Sequence, residues 1–250
     1  MKLDQHFLVD EDVLIRSLEL ADLKGTETVL EIGAGQGNLT EMLAKSAKKV
    51  ISIELDESMR KPLGIISREN PNLKVIFGNA LSLEWPEFDK MVSNLPYSIS
   101  EPLLQKLVFC RFERAVLLVS GHFSNLLLGG EKTKLGLIAG TFFRLEPDIE
   151  VYPDSFDPPP RVSSRLLVLC PKEPKAVAER IFWEFLRQKD KIAKNALREA
   201  IVRGFEVEGK IVSKREARAD IGGLDLEKRV SCLGLDELLK VRQSIQKLTH

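Results

Sequence analysis

Short apolar runs alternate with amphipathic stretches through the first two-thirds of the chain. The runs Thr28–Ile32, Lys49–Glu54, Lys74–Phe77, Lys90–Ser93, Ala115–Val119 and Ser164–Cys170 are rich in Val, Ile and Leu and read as buried strands. Between them, Glu11–Ala21, Leu39–Ser46, Glu57–Arg68 and Glu101–Val108 carry apolar residues at helical spacing. This alternation predicts a parallel sheet with helices on both faces, since each crossover between parallel strands needs a covering element. Pro158-Pro159-Pro160 opens the last of these strands and stiffens the backbone toward an extended form. Beyond Pro171 and Pro174 the pattern turns helical, with Val177–Ile201 as the longest helix and Leu235–Ile245 as another. The predicted division is a sheet domain over residues 1–171 and a small helical C-terminal domain over 172–250.

Composition narrows the class without changing that picture. Hydrophobic residues make up 44% and charged residues 30% of 250, a globular balance. No apolar run reaches the roughly 18 residues of a membrane span. The start, Met1-Lys2-Leu3-Asp4, lacks the apolar core of a signal peptide, so a cytoplasmic location is expected. Cys110, Cys170 and Cys232 are widely spaced and odd in number, which argues against a disulfide framework and a zinc site; no metal is expected. The zero net charge conceals an asymmetry. Residues 172–250 hold 18 Lys/Arg and 13 Asp/Glu, against 19 and 24 in residues 1–171. A basic C-terminal part suits phosphate binding, although a solvated helix surface gives the same count. Lys191, Lys194 and Arg198 are spaced so as to share one face of the long helix and are the candidate RNA-binding residues.

Candidate chemistry begins at the end of the first strand. Thr28–Ile32 runs into Gly33-Ala34-Gly35-Gln36-Gly37 and then a helix. Glycines permit the tight turn and let backbone N–H groups approach a ligand. The next strand ends at Glu54, 21 residues after Gly33, where a carboxylate can accept from ribose hydroxyls. The third glycine comes one residue early for a dinucleotide, and Glu31 precedes the loop, so the spacing suits S-adenosylmethionine (SAM) better. Gly78-Asn79-Ala80 ends the third strand, where the Asn79 amide oxygen can accept from the adenine amino group of SAM; an ordinary turn residue is the other reading.

The fourth strand ends in Asn94-Leu95-Pro96-Tyr97. An aromatic amine is a poor nucleophile because its lone pair is delocalised into the base. Acceptors for both of its protons favour a pyramidal nitrogen with a localised pair. The Asn94 side-chain oxygen and the Leu95 carbonyl can be the two acceptors, Pro96 stiffens the turn, and Tyr97 offers a ring for an extruded base; an ordinary turn between strand and helix is the other reading of the tetrad taken alone. The amine loses its proton only after attack, so the tetrad works by alignment and electrostatics rather than through a strong base.

With these motifs in view, the chain resembles the KsgA-type small-subunit rRNA adenine dimethyltransferases, in particular their archaeal form. The resemblance rests on Gln5–Asp10, Leu30–Thr40, Ile53–Asp56, Gly78–Leu81, Ser93–Ser100 and Phe156–Ser164. The Q-H-F-L start and the N-L-P-Y-S-I-S run are specific to this family and its erythromycin-resistance relatives. The resemblance implies a Rossmann-like SAM-dependent methyltransferase sheet. With the loop and turn above, it implies a cofactor set of His6, Leu8, Gly33, Gly35, Glu54, Asn79, Ala80 and Asn94. It implies that Asn94, Leu95, Pro96 and Tyr97 handle the target adenine, with Phe156 stacking on its other side. The implied reaction is dimethylation of N6 on each of two adjacent adenosines in a hairpin loop near the 3′ end of small-subunit rRNA. The implied partner is a pre-ribosomal particle, and the protein is expected to be a monomer.

The chain departs from the family pattern in four places. Asn79 stands where the family usually has Asp, and Val119-Ser120-Gly121-His122-Phe123 replaces a run close to V-Q-K-E-F. Basic residues before Gln5 are reduced to Lys2, and Gly129–Leu137 has fewer basic and aromatic residues. These departures motivate an alternative: a SAM-binding ribosome assembly factor with weak or no methyltransferase activity. A SAM enzyme acting on another amino group is a third reading, against which the Gln5–Asp10 and Phe156–Ser164 motifs speak.

Overall fold

The expected strands assemble into one twisted seven-stranded sheet in a computed structural model that describes residues 5–213, 216–217 and 226–249. Lys2 lies outside the described residues. Labelled in chain order, the strands are β1 (Phe7–Leu8), β2 (Thr28–Ile32), β3 (Lys49–Glu54), β4 (Leu73–Phe77), β5 (Lys90–Asn94), β6 (Arg114–Ser120), β7 (Phe143–Val151), β8 (Phe156–Asp157) and β9 (Ser164–Pro171). The helices are α1 (Glu11–Ala21), α2 (Asn38–Ser46), α3 (Arg60–Glu69), α4 (Ser100–Leu107), α5 (Gly121–Leu128), α6 (Lys134–Phe142), α7 (Val177–Arg187), α8 (Ala193–Val207) and α9 (Leu235–Thr249).

The sheet runs β4-β3-β2-β5-β6-β9-β7, with helices on both sides. Strands β4, β3, β2, β5 and β6 are parallel. The chain winds outward from β2 to β4, then returns to the other side of β2 with β5. That reversal opens a crevice beyond the carboxyl ends of β2 and β5, the place where open α/β sheets bind ligands. The sheet is mixed rather than purely parallel, because β9 runs antiparallel to β6. Strand β7 borders β9 at the edge and escaped the sequence reading. Its sequence F-R-L-E-P-D-I-E-V buries only its two end residues, as suits an edge strand with charges and a proline in it.

Helix α1 begins at Asp10, whose side chain accepts from the backbone N–H groups of Asp12 and Val13, satisfying orphan donors of the first turn. Its apolar face supplies Val13 and Leu14 to a core with Leu43 of α2 and Val29, Val50, Val92 and Val116 of the sheet. Strands β1 and β8 form a separate antiparallel pair, Phe7 opposite Asp157 and Leu8 opposite Phe156.

The chain divides into two compact units: residues 1–125 with 144–171, and residues 126–143 with 172–250. Residues 126–143 thus leave the first unit, contrary to a single cut after Pro171. The cause is packing. Phe142 lies against Trp183 with ring centroids 5.7 Å apart, and the Lys172 N–H donates to the Phe142 carbonyl. The long helix expected over Val177–Ile201 is broken into α7 and α8. Polar residues Gln188–Lys191 interrupt the apolar stripe, and the Gln188 amide donates to the carbonyls of Glu184 and Ala196. Lys191 therefore precedes α8 and does not share a helix face with Lys194 and Arg198. Helices α7 and α8 approach closely at Gly204, where a Cβ would sit 2.3 Å from Ile181.

Candidate active site

The crevice in the first unit is an open cleft of about 1200 Å³ including its mouth. His6, Leu8, Gly33, Gly35, Glu54, Asn79, Ala80, Asn94, Leu95, Pro96, Tyr97 and Phe156 all line it. Residues from separate stretches of sequence are thus brought to one place. Lys191, Lys194 and Arg198 belong to the second unit.

The glycine loop turns on three residues with left-handed backbone: Gly33 (φ 81°), Gly35 (φ 53°) and Gly37 (φ 97°). At Gly35 a Cβ would meet the Phe7 ring at 2.9 Å, so the absent side chain is also a packing requirement. The loop is tied to β3: the Gly33 N–H donates to the Ile53 carbonyl at 2.8 Å. Glu54 is buried, and its two oxygens each accept one backbone N–H, from Gly35 at 2.8 Å and Asp56 at 2.7 Å. Each carboxylate oxygen keeps a second lone pair, the chemistry that receives a ribose diol.

Beside Glu54 lies Glu31, buried at the end of β2. Its Oε2 accepts from the hydroxyls of Ser52 at 2.6 Å and Thr40 at 2.7 Å. Burial pushes the Glu31 carboxyl up to about 7; the two hydroxyls pull the other way, and the Glu54 charge adds to the rise. Between pH 4.5 and about 7 the folded protein therefore holds a proton that the unfolded chain has released. Stability conferred by the protonated carboxyl is full below that window and is lost as pH rises through it. Glu31→Gln, neutral at every pH, should flatten the melting temperature against pH between 4.5 and 7, as read by scanning calorimetry. A slope equal to wild type would assign the titration to another group.

Asn79 sits at the end of β4, and its Oδ1 accepts from the Leu81 N–H at 2.9 Å. The oxygen read as the adenine acceptor thus also closes a local turn, leaving one lone pair for a ligand.

The Asn94–Tyr97 turn is held at each end. The Leu95 N–H donates to the Leu118 carbonyl at 3.0 Å, and Asn94 Nδ2 donates to the His6 carbonyl at 3.3 Å. That leaves Asn94 Oδ1 as the acceptor end. The Tyr97 hydroxyl lies 2.6 Å from the hydroxyl of buried Ser164, and its ring is 6.4 Å from that of His6. Phe156 is held by the β1–β8 pair, and His6 Nδ1 donates to the Pro158 carbonyl at 2.7 Å. The departure segment Ser120–His122 contributes no residue to the cleft lining among the described residues.

Several supports escaped the sequence reading. Asn38 donates to the Leu8 carbonyl at 2.8 Å, Gln5 donates to Asp56 at 2.9 Å, and Ser93 Oγ accepts from the Ile32 N–H at 2.9 Å. The first two fasten the N-terminal stretch over the glycine loop. Only the position of Gln5 beside His6 hinted at this. Among the described residues no cluster of metal-ligating side chains occurs and no helix is long and apolar enough to cross a membrane.

Comparison with known proteins places this geometry. Residues 1–219 match the family model described as "Ribosomal RNA adenine dimethylase". The chain is 36% identical over 248 residues to the "Probable ribosomal RNA small subunit methyltransferase A" of Methanosarcina mazei, covering 97% of this chain and 91% of the relative. It is 38% identical over 205 residues to the protein of the same name from Methanosarcina acetivorans, covering 80% and 76%. Among solved structures, a dimethyladenosine transferase from Plasmodium falciparum superposes with a TM-score of 0.67 at 28% identity, covering 97% of this chain and 98% of that one. The 23S rRNA methyltransferase ErmE shares the fold, with a TM-score of 0.66 at 22% identity over 96% and 99% of the two chains. The match over residues 1–219, together with relatives more than 30% identical over most of the chain, shows that the chain belongs to the ribosomal RNA adenine dimethylase family.

Proposed function

We propose that this chain is an rRNA methyltransferase that dimethylates N6 of two adjacent adenosines near the 3′ end of small-subunit rRNA, with SAM as methyl donor. The observation that carries the reading is the single cleft in which the glycine loop, Glu54 and Ala80 face the Asn94–Tyr97 turn and Phe156. The residues present suit SAM. Glu54 has lone pairs for the ribose hydroxyls, no described bond uses the Ala80 N–H, and the loop's left-handed glycines bring backbone close to a ligand. When bound, SAM supplies a methyl group on a cationic sulfur. The chain's own residues do the rest. Asn94 Oδ1 and the Leu95 carbonyl accept hydrogen bonds from the two N–H groups of the target amine, localising the nitrogen lone pair. Tyr97, anchored through its hydroxyl to Ser164, and Phe156 stack on the base and keep water from it.

The substrate is an immature small subunit, met in the cytoplasm by a monomer. Lys191, Lys194 and Arg198 contact its phosphates. Lys191 pairs with Glu199 at 2.6 Å and Lys194 with Glu227 at 2.6 Å, while Arg198 donates to Asn195. Such partly exposed pairs are worth about 0–1 kcal/mol each and are screened by salt, so a phosphate can displace them. Reversing Lys194 and Arg198 to Glu is expected to weaken binding to immature subunits and to lower the slope of log affinity against log salt by roughly 0.7–0.9 per lost phosphate contact. SAM affinity should not change. Filter binding across a salt series tests this, and an unaltered slope would make the surface merely solvated.

The reaction itself is tested by mass spectrometry of adenosines in immature small-subunit rRNA incubated with SAM, with and without the protein. Dimethyladenosine formed only with the protein supports the reading. Its absence, with the particle bound, favours an assembly factor that retains the cleft without the chemistry.

A further inference from the structure

We infer that Lys106, on α4, is a positioning residue for cofactor recognition, holding the Ala80–Leu81 peptide and, through it, the side chain of Asn79. The inference rests on the SAM reading of the cleft.

Residues 79–85 lead away from β4, and two donors and one acceptor fix a single peptide in this segment. Lys106 Nζ donates to the Ala80 carbonyl at 2.8 Å, and Trp85 Nε1 donates to the same oxygen at 2.8 Å. A carbonyl oxygen has two lone pairs, so this one is fully engaged. On the other edge of the peptide, the Leu81 N–H donates to Asn79 Oδ1 at 2.9 Å. Lys106 also donates to the Leu83 carbonyl, and its ammonium lies 4.6 Å from the centroid of the Trp85 ring. The Ser82 and Leu83 N–H groups both return to the Asn79 carbonyl at 3.0 Å. The peptide cannot rotate without releasing Trp85, Lys106 and Asn79 together.

Lys106 is half-buried and spends its donors on carbonyls; burial lowers its pKa. A lysine serving only solubility would extend into water. Its helix begins at Ser100, three residues after Tyr97, so the element that follows the adenine-handling turn also grips the segment that meets the cofactor's base. Asn79 and Ala80 line the cleft, whereas Lys106 and Trp85 do not. Lys106 therefore acts through the peptide rather than by touching the ligand.

The test is binding of S-adenosylhomocysteine by calorimetry, with thermal melting as the folding control. Lys106→Met, similar in length but without donors, is expected to weaken binding about tenfold, the order of one charge-assisted hydrogen bond. Lys106→Arg, which keeps donors, should recover most of that loss. In an Asn79→Ala background, Lys106→Met should cost less than about twofold, because the side chain it orients is gone. A role confined to general folding would cost the same in both backgrounds, and that result overturns the inference. So does wild-type affinity in Lys106→Met. If Lys106→Met fails to fold, Trp85→Phe, which keeps the ring and removes the N–H, carries the same cycle with Asn79→Ala. A wild-type protein that does not take up S-adenosylhomocysteine would instead overturn the SAM reading itself, and the inference with it.

Discussion

Asn94→Ala should lower single-turnover methylation of immature small subunits by about 10²–10³-fold, the loss typical of removing one preorganised hydrogen-bonding group from a reacting centre. The side chain is not simply near the reaction. Its Nδ2 is spent on the His6 carbonyl at 3.3 Å, which turns Oδ1 toward the cleft. The backbone beneath it is tied on both sides, by the Leu95–Leu118 bond and by Ser93 Oγ receiving the Ile32 N–H. An acceptor fixed this way costs no reorganisation when the amine arrives. Ala removes the acceptor and the bond to the His6 carbonyl but leaves the proposed phosphate-binding surface untouched, so RNA affinity should stay within about twofold. Asn94→Asp gives the sharper comparison. It keeps an acceptor at the same place but sets a carboxylate oxygen against the His6 carbonyl, so its activity should fall between alanine and wild type. Near wild-type turnover in Asn94→Ala would remove the tetrad from the chemistry.

The strands and the cleft were legible in the sequence to different depths. Thr28–Ile32 and Lys49–Glu54 match their strands end to end, because buried parallel strands write themselves as runs rich in Val, Ile and Leu, broken here only by polar residues such as Glu31 and Ser52. The glycine loop was legible because left-handed backbone demands glycine, and the Asn94–Tyr97 turn because it follows a strand at the switch point. What the sequence could not express is pairing at a distance. Lys90 reads as a strand-boundary charge, yet it is buried and bridged to Glu27 at 3.1 Å. The two-residue strands β1 and β8 are too short for any period, yet they bring Phe156 opposite Leu8. Residues 126–143 show no element in the sequence, because Gly129, Gly130, Gly136 and Gly140 dilute their helical pattern. Lys191, Lys194 and Arg198 keep helical spacing on paper, but a polar interruption ends α7 before them. For Lys90 and for the β1–β8 pair, long-range contact, not local propensity, decided the outcome.

Glu54→Ala is expected to reduce SAM affinity by about two orders of magnitude, and the size follows from how many bonds meet on this carboxylate. Oε2 accepts from Gly35 and Oε1 from Asp56, so one side chain anchors the glycine loop and the start of the segment after β3. Hydrogen bonds to a charged group contribute about 1.5–3 kcal/mol each. Alanine removes both supports together with the acceptors for the ribose diol. The Gly35 N–H is then left without its partner, and the loop loses the contact that sets its height above β3. The left-handed backbone at Gly35 and the nearby Phe7 ring restrict how that loop can resettle. Glu54→Gln separates the two contributions. Its one oxygen can serve Gly35 or Asp56 but not both, and its NH₂ can donate to a ribose oxygen, so about a tenfold loss is expected. Calorimetric titration with SAM measures all three proteins. Equal affinity in Glu54→Ala and wild type would show that the carboxylate neither holds the nucleoside nor sets the loop for it.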